Sequence, residues 1–156
     1  MKLNLIRTPS DYLNGYTNVS VFIDQTHPDV VLSNYENLQG VEDNEATEIR
    51  AIDIIDYYPL ERQDQLFDHW ISKLRHGGVI TVGGVDLVEM AQLLYHYNVT
   101  TEDFNSIFFG ASKETWQRRQ SVQPMHRLAN LLSQKGLEVI EKFITGQRFV
   151  VKVRRP

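Results

Sequence analysis

Asp53, Asp56, Tyr57 and Tyr58 place two carboxylates and two phenols within six residues, at the end of the apolar-rich stretch EIRAIDII, Glu48 to Ile55. If that stretch is a strand of a parallel sheet, its carboxyl end is where a substrate crevice opens, so these four side chains are the first polar candidates for a site. The competing reading is that Asp56 starts a loop and the tyrosines cover the sheet edge. Asp86 follows the glycine pair Gly83-Gly84 in the same way, and a carboxylate there also suits the cap of a following helix. The run Trp116-Gln117-Arg118-Arg119-Gln120 combines an aromatic ring with two guanidinium groups, a set that can hold an anion, a sugar or a protein surface, or form a solvated loop. Histidines 27, 69, 76, 96 and 126 lack the close spacing of a ligand set, which argues against a metal. With no cysteine, thiolate chemistry and disulfides are absent, and no Gly-x-Ser-x-Gly, Gly-x-Gly-x-x-Gly or Walker pattern occurs.

Elements able to position these residues follow from the apolar pattern. Strands are predicted at Lys2 to Ile6, Thr17 to Ile23, Asp29 to Leu32 and Glu48 to Ile55, the last apolar on both faces as a central parallel strand would be. Glu61 to Leu74 carries Leu66, Phe67, Trp70, Ile71 and Leu74 at helical spacing, and His76-Gly77-Gly78 falls where a helix end favours glycine. The segment VITVGGVDL reads as a strand running into a helix over Leu87 to Tyr97. Met125 to Lys135 repeats the helical spacing with Leu128, Leu131 and Leu132 on one face. Two closing strands flank a turn at Thr145-Gly146. The sum is an α/β domain with a mainly parallel sheet, flanked by helices and ended by an antiparallel hairpin.

At 156 residues the chain suits one domain spanning 1–156. A formal charge of -4 gives no general attraction for polyanions, so nucleic acid is not an expected partner. No stretch approaches the length of a membrane span and the opening residues lack a long apolar segment, which predicts a cytoplasmic protein.

Lys2-Leu3-Asn4-Leu5 and Pro9, then Gly15-Tyr16, Asn18 and Val19, then Glu48-Ile49 and Ala51, Trp70, Leu74, Gly77-Gly78 and Asp86-Leu87 occur in a telling order. Phe109-Gly110, His126, Leu128, Leu131-Leu132 and Gly136 continue it. Taken together they resemble the small class I methyltransferases that use S-adenosylmethionine (SAM), whose members begin KLNLGCGP, continue GYINVD and later show LEH, RVLKPGG and VPDL. The resemblance implies a Rossmann-like class I methyltransferase fold, SAM as cofactor without a metal, and a small-molecule or glycan acceptor. It places the cofactor loop at Ile6, Arg7 and Thr8 and the ribose-binding acid at Ser20. Asp24 is the substitute acid if the second strand runs longer, and Asp53 completes the cofactor positions. Asp56 and His126 become the candidate bases for a methyl transfer organised by proximity.

The same comparison predicts a degenerate site. The family's loop glycines let the backbone pass close to the cofactor before a helix N-terminus, and here Ile6 and Thr8, both β-branched, stand in their place. Ser20 carries no charge where the family has an acid, Ile55-Asp56-Tyr57 replaces LEH, Arg75-His76 replaces Lys-Pro, and Val85 replaces the proline of VPD. Two expectations therefore stand side by side. One is a methyltransferase-like protein with an altered cofactor loop. The other is a pseudoenzyme that keeps the sheet and binds a protein partner, or a second copy of itself, through a surface such as Phe108 to Gln123.

Overall fold

The computed structural model describes residues 1–22, 27–110 and 117–156. Asp24 and Trp116, both singled out above, lie outside them. Seven strands form one sheet: β1 (Lys2–Leu5), β2 (Thr17–Ser20), β3 (Val31–Leu32), β4 (Ala46–Ile52), β5 (Leu74–Val85), β6 (Glu138–Thr145) and β7 (Arg148–Arg154). Their order is β3-β2-β1-β4-β5-β7-β6, parallel except for β7, which is antiparallel to both β5 and β6. Among the described residues the α-helices are α1 (Leu60–Lys73), α2 (Leu87–Tyr95), α3 (Thr101–Phe109) and α4 (Met125–Gln134). Strand order reverses between β1 and β4, so the crevice expected of such a sheet opens at their carboxyl ends.

Burial alternates along β4, the middle of β5 and β7. Leu3, Leu5, Val19, Ile49, Ala51, Ile80, Val82, Phe149, Val151 and Val153 are buried in one core cluster with Leu66, Phe67 and Trp70 of α1 and Leu128, Ala129 and Leu132 of α4. Their neighbours Glu48, Arg50, Ile52, Val79, Thr81, Val150 and Lys152 are only half-buried. The helical spacing read in α1 and α4 is thus the spacing of one apolar stripe on one face of the sheet. β4 is not apolar on both faces. Its extra isoleucines, Ile54 and Ile55, are buried beyond the strand end, where the chain leaves extended geometry at Asp53 with φ +56° and enters a 3-10 turn at Ile55–Tyr57.

Two further expectations are corrected. The glycine pair 77–78 does not end a helix: α1 stops at Lys73 and Leu74 opens β5 directly, its N–H bonded to the carbonyls of Ile71 and Trp70. Gly77, at φ +75°, instead lets the start of β5 meet the chain end, its N–H donating to the Arg155 carbonyl at 2.7 Å. Gly83-Gly84 lies inside β5. Between β1 and β2 there is only a 3-10 turn at Pro9–Asp11, where the resemblance implied a helix.

Candidate functional site

The carboxyl end of β1 is held by its own backbone. Ile6 is buried, its N–H donates to the Val19 carbonyl at 2.9 Å, and its carbonyl accepts from the Tyr35 hydroxyl. Burial pushes the Tyr35 phenol up to about 12, so it remains a proton donor to that carbonyl at neutral pH. Arg7 lays its guanidinium on the Tyr57 ring, with Cζ 3.1 Å from the ring centroid, and burial lowers its pKa. Thr8 faces solvent and is tied to the short turn that follows, its N–H and hydroxyl both donating to Asp11 Oδ2 at 3.1 and 2.9 Å. Ser20 is buried and its hydroxyl oxygen accepts from the Phe22 N–H at 3.1 Å.

Across the crevice, the end of β4 carries the two aspartates. Asp56 is fully buried. Its Oδ2 accepts from the Val85 N–H at 2.9 Å and from Arg119 Nη1 at 2.8 Å, while Oδ1 has no hydrogen-bond partner. A Cβ on Gly84 would lie 2.6 Å from that Oδ1, so glycine at this point of β5 makes room for the carboxylate. Burial raises the Asp56 pKa to about 6, against the opposing pull of Arg119. Asp53 pairs with Arg119 Nη1 at 3.4 Å and with Arg148.

Arg119, one of two guanidinium groups noted in the run 116–120, has a burial and a partner that sequence reasoning did not foresee. Within the run 116–120 no periodicity marked it, yet its side chain is 4% exposed. Its Nε donates to the Ile107 carbonyl at 2.9 Å and its N–H to that of Phe108, while Gln120 and Ser121 donate N–H groups to the Asp56 carbonyl. One buried ion pair thereby docks the end of α3 and the 117–121 connection onto β4. The solvated-loop reading is corrected at Arg119, and the surface expected over Phe108 to Gln123 is interrupted there and at buried Gln123.

Arg7, Tyr57, Arg119, Asp53 and Asp56 are thus brought together, with Tyr57 between two guanidinium groups: Arg119 Cζ lies 5.1 Å from the same ring. Arg7 and Tyr57 also line a cavity of about 200 Å³, together with Phe22, Tyr35, Tyr58 and Gln120. His126 does not join them. It is exposed in the first turn of α4 and lines a separate hollow with Arg127 and Asn130. Asp86 caps α2, accepting from the Glu89 N–H at 2.9 Å, and also accepts from the Met125 N–H at 2.8 Å, so one carboxylate fixes the starts of two helices. Among the described residues no three His, Asp or Glu side chains converge as metal ligands, and no helix is long and apolar enough to cross a membrane.

This sheet order, with its parallel strands and reversed seventh strand, is the Rossmann-like class I methyltransferase fold. A SAM-dependent methyltransferase from Thermotoga maritima superposes with a TM-score of 0.70 at 13% identity, covering 99% of this chain and 82% of the other. One from Archaeoglobus fulgidus gives 0.65 at 13% identity over 98% and 85% of the two chains. A Pyrococcus horikoshii protein gives 0.67 at 13% over 99% and 81%. Compared by sequence, the chain matches no family model and no curated protein. At such identity the likeness defines the fold and leaves the chemistry to the residues.

Proposed function

We propose that this chain is a methyltransferase-fold pseudoenzyme, a binding module that does not hold SAM in the pose the resemblance implies. The observation that carries this reading is the filled end of β1: buried Ile6 stands where backbone alone would face a cofactor, and Arg7 closes over Tyr57 beside it. The remaining cavity, about 200 Å³, is below the roughly 300–1,000 Å³ of pockets for drug-sized ligands. Ser20 is engaged by its own turn, and Asp53 and Asp56 are bound to arginines. Buried Asp56 cannot reach an acceptor to take its proton, and His126 stands apart. These residues do not fit SAM. The module acts in the cytoplasm on a small ligand or a protein partner.

Calorimetric titration of the full chain with SAM and with S-adenosylhomocysteine tests this. No binding is expected at millimolar ligand, whereas micromolar affinity for either overturns the reading.

The second reading, a methyltransferase with an altered loop, draws on the SAM-dependent neighbours and on the raised pKa of Asp56. On that reading the combined changes Ile6→Gly, Thr8→Gly and Ser20→Asp strengthen SAM binding.

A further inference from the structure

We infer that the outward stripe of α2 is a docking surface for a second copy of this chain, with two α2 helices meeting antiparallel about a two-fold axis at Ala91. The inference goes beyond the proposed function and holds whether or not the crevice takes SAM.

A helix on the surface of a domain ordinarily turns its apolar stripe to the core and its polar side to water. Helix α2 does the reverse. At about 100° per residue, Leu87, Val88, Ala91, Leu94 and Tyr95 fall within an arc of about 120° with Ala91 in the middle. All five are exposed. Met90, the buried residue of this helix, and half-buried Leu93 lie on the other side. Tyr95 is 80% exposed, which leaves roughly 150 Å² of that side chain in water. With the four smaller side chains the stripe reaches the roughly 300–600 Å² of the largest apolar patch on a typical monomer, a patch that is often functional.

The charge pattern selects the occupant. No Lys or Arg occurs from Asp86 to Gly110, whereas a helix that lies on a lipid surface carries such residues along its polar side. The charged side chain of α2, Glu89, lies about 160° around the helix from Ala91. The stripe itself is therefore free of charge and gives an unlike partner no charge to recognise. In a two-fold contact each patch meets itself, and a patch without charge sets no like charges against each other. Antiparallel pairing centred on Ala91 places Leu87 against the partner's Tyr95 and Val88 against the partner's Leu94. The small side chain of Ala91 lets the two backbones approach at the crossing, where interaxial distance depends on the residues in contact. Two stripes of this size bury less than the roughly 1,600 Å² of a standard interface, so the dimer is weak and reversible.

Sedimentation equilibrium of the full chain, from roughly 10 μM to 1 mM, is expected to show a monomer–dimer equilibrium with a dissociation constant below about 1 mM. Ala91→Glu sets two carboxylates at the axis and Tyr95→Ser removes the largest contact, and each is expected to weaken the dimer at least tenfold. Ser133→Glu, at an exposed position of α4, leaves it unchanged. Because the chain has no cysteine, a single one reports which residue meets its own copy. On mild oxidation Ala91→Cys is expected to form a disulfide-linked dimer at least tenfold faster than Ser133→Cys. A chain that stays monomeric at the highest concentration overturns the inference, as does a dimer indifferent to Ala91→Glu and Tyr95→Ser, or equal cross-linking at the two cysteine positions. A monomer that instead co-sediments with vesicles of phosphatidylcholine or phosphatidylserine assigns the stripe to a membrane and overturns it too. If a substituted chain fails to fold, sedimentation and vesicle binding of the unaltered chain decide the matter. Micromolar SAM binding removes the proposed function and leaves this inference standing, whereas a strictly monomeric chain removes this inference alone.

Discussion

On one side of the sheet, Leu3, Ile49, Ile80 and Val153 lie in register across four strands beneath α1 and α4, all of them buried. One residue away along each strand, Lys2, Glu48, Val79 and Arg154 lie in register on the opposite side and continue to Glu138. This second row is polar at both flanks and closed by cross-strand ion pairs, Lys2 with Glu48 at 3.6 Å and Arg154 with Glu138 at 3.5 Å. Parallel sheets ordinarily bury both faces under helices. Here the connection from β1 to β2 is too short for a packed helix, and it covers its side of the sheet with amides instead: buried Asn4 donates to Asn18 Oδ1 and to the Asp11 carbonyl, each at 2.8 Å. A parallel sheet can therefore keep a half-exposed face if its side chains there pair with one another or with a loop, as antiparallel sheets commonly do. The loss of that helix is continuous with the filled cofactor loop, since both occur directly after β1.

The contrast can be broken most severely at the buried ion pair of Arg119 and Asp56. Arg119→Met strands Asp56 inside the fold and is expected to cost about 3–5 kcal/mol, the usual penalty for removing one partner of a buried pair. Urea unfolding measures it, and the cost should be smaller at pH 5 than at pH 8, because a protonated Asp56 needs no cation. By comparison, Lys2→Ala and Arg154→Ala on the half-exposed face each remove an exposed pair and are expected to cost less than about 1 kcal/mol. Equal losses from both kinds of pair would show that the two environments are not as different as their burial suggests.

Adjacent residues of β5 sharpen the comparison further. Ile80→Ala, on the covered face, should cost roughly 2–5 kcal/mol through lost packing and the cavity left behind. Thr81→Ala, on the opposite face, should cost well under about 1 kcal/mol by the same unfolding measurement. A large loss at Thr81 would mean that something not yet described covers that face.

A last expected effect is one of pH. Asp56 has an ordinary pKa of 3.8 and a folded value of about 6. The folded state therefore holds this proton more tightly, so the group favours folding most below about pH 4, and that contribution is lost as pH rises through 6. Asp56→Asn removes the dependence, and its unfolding midpoint between pH 4 and 7.5 should fall less with rising pH than that of the unaltered chain. An identical slope in both would place the Asp56 titration outside this range.

Much of this was legible along the chain because it depends on local pattern. The stripes of α1 and α4 appear as leucine and aromatic spacing, the closing hairpin as two apolar runs around Thr145-Gly146, and the cap at Asp86 as a carboxylate before a helical run. Other features depend on pairings far apart in sequence. The site of Ile54 and Ile55, beyond a strand end and not within it, was set by the reversal of φ at Asp53. Arg119 looked like one cation of a loop because its partner is 63 residues away. Helix α3 was not foreseen, since no buried residue gives it a stripe to read.

By itself the amino-acid sequence determined most of the elements, the mainly parallel sheet with its reversed last strand, and the presence of branched side chains where the resemblance implies glycine. Those are properties of single residues and of their periodic spacing, which local geometry translates directly. Only the tertiary structure decided that one face of the sheet would be left half-exposed, that Asp56 would be buried against Gly84 and Arg119, and that Arg7 would close over Tyr57. Burial, charge pairing and the shape of a cavity arise where distant segments meet, and their energies depend on the whole arrangement of neighbours that no short stretch encodes.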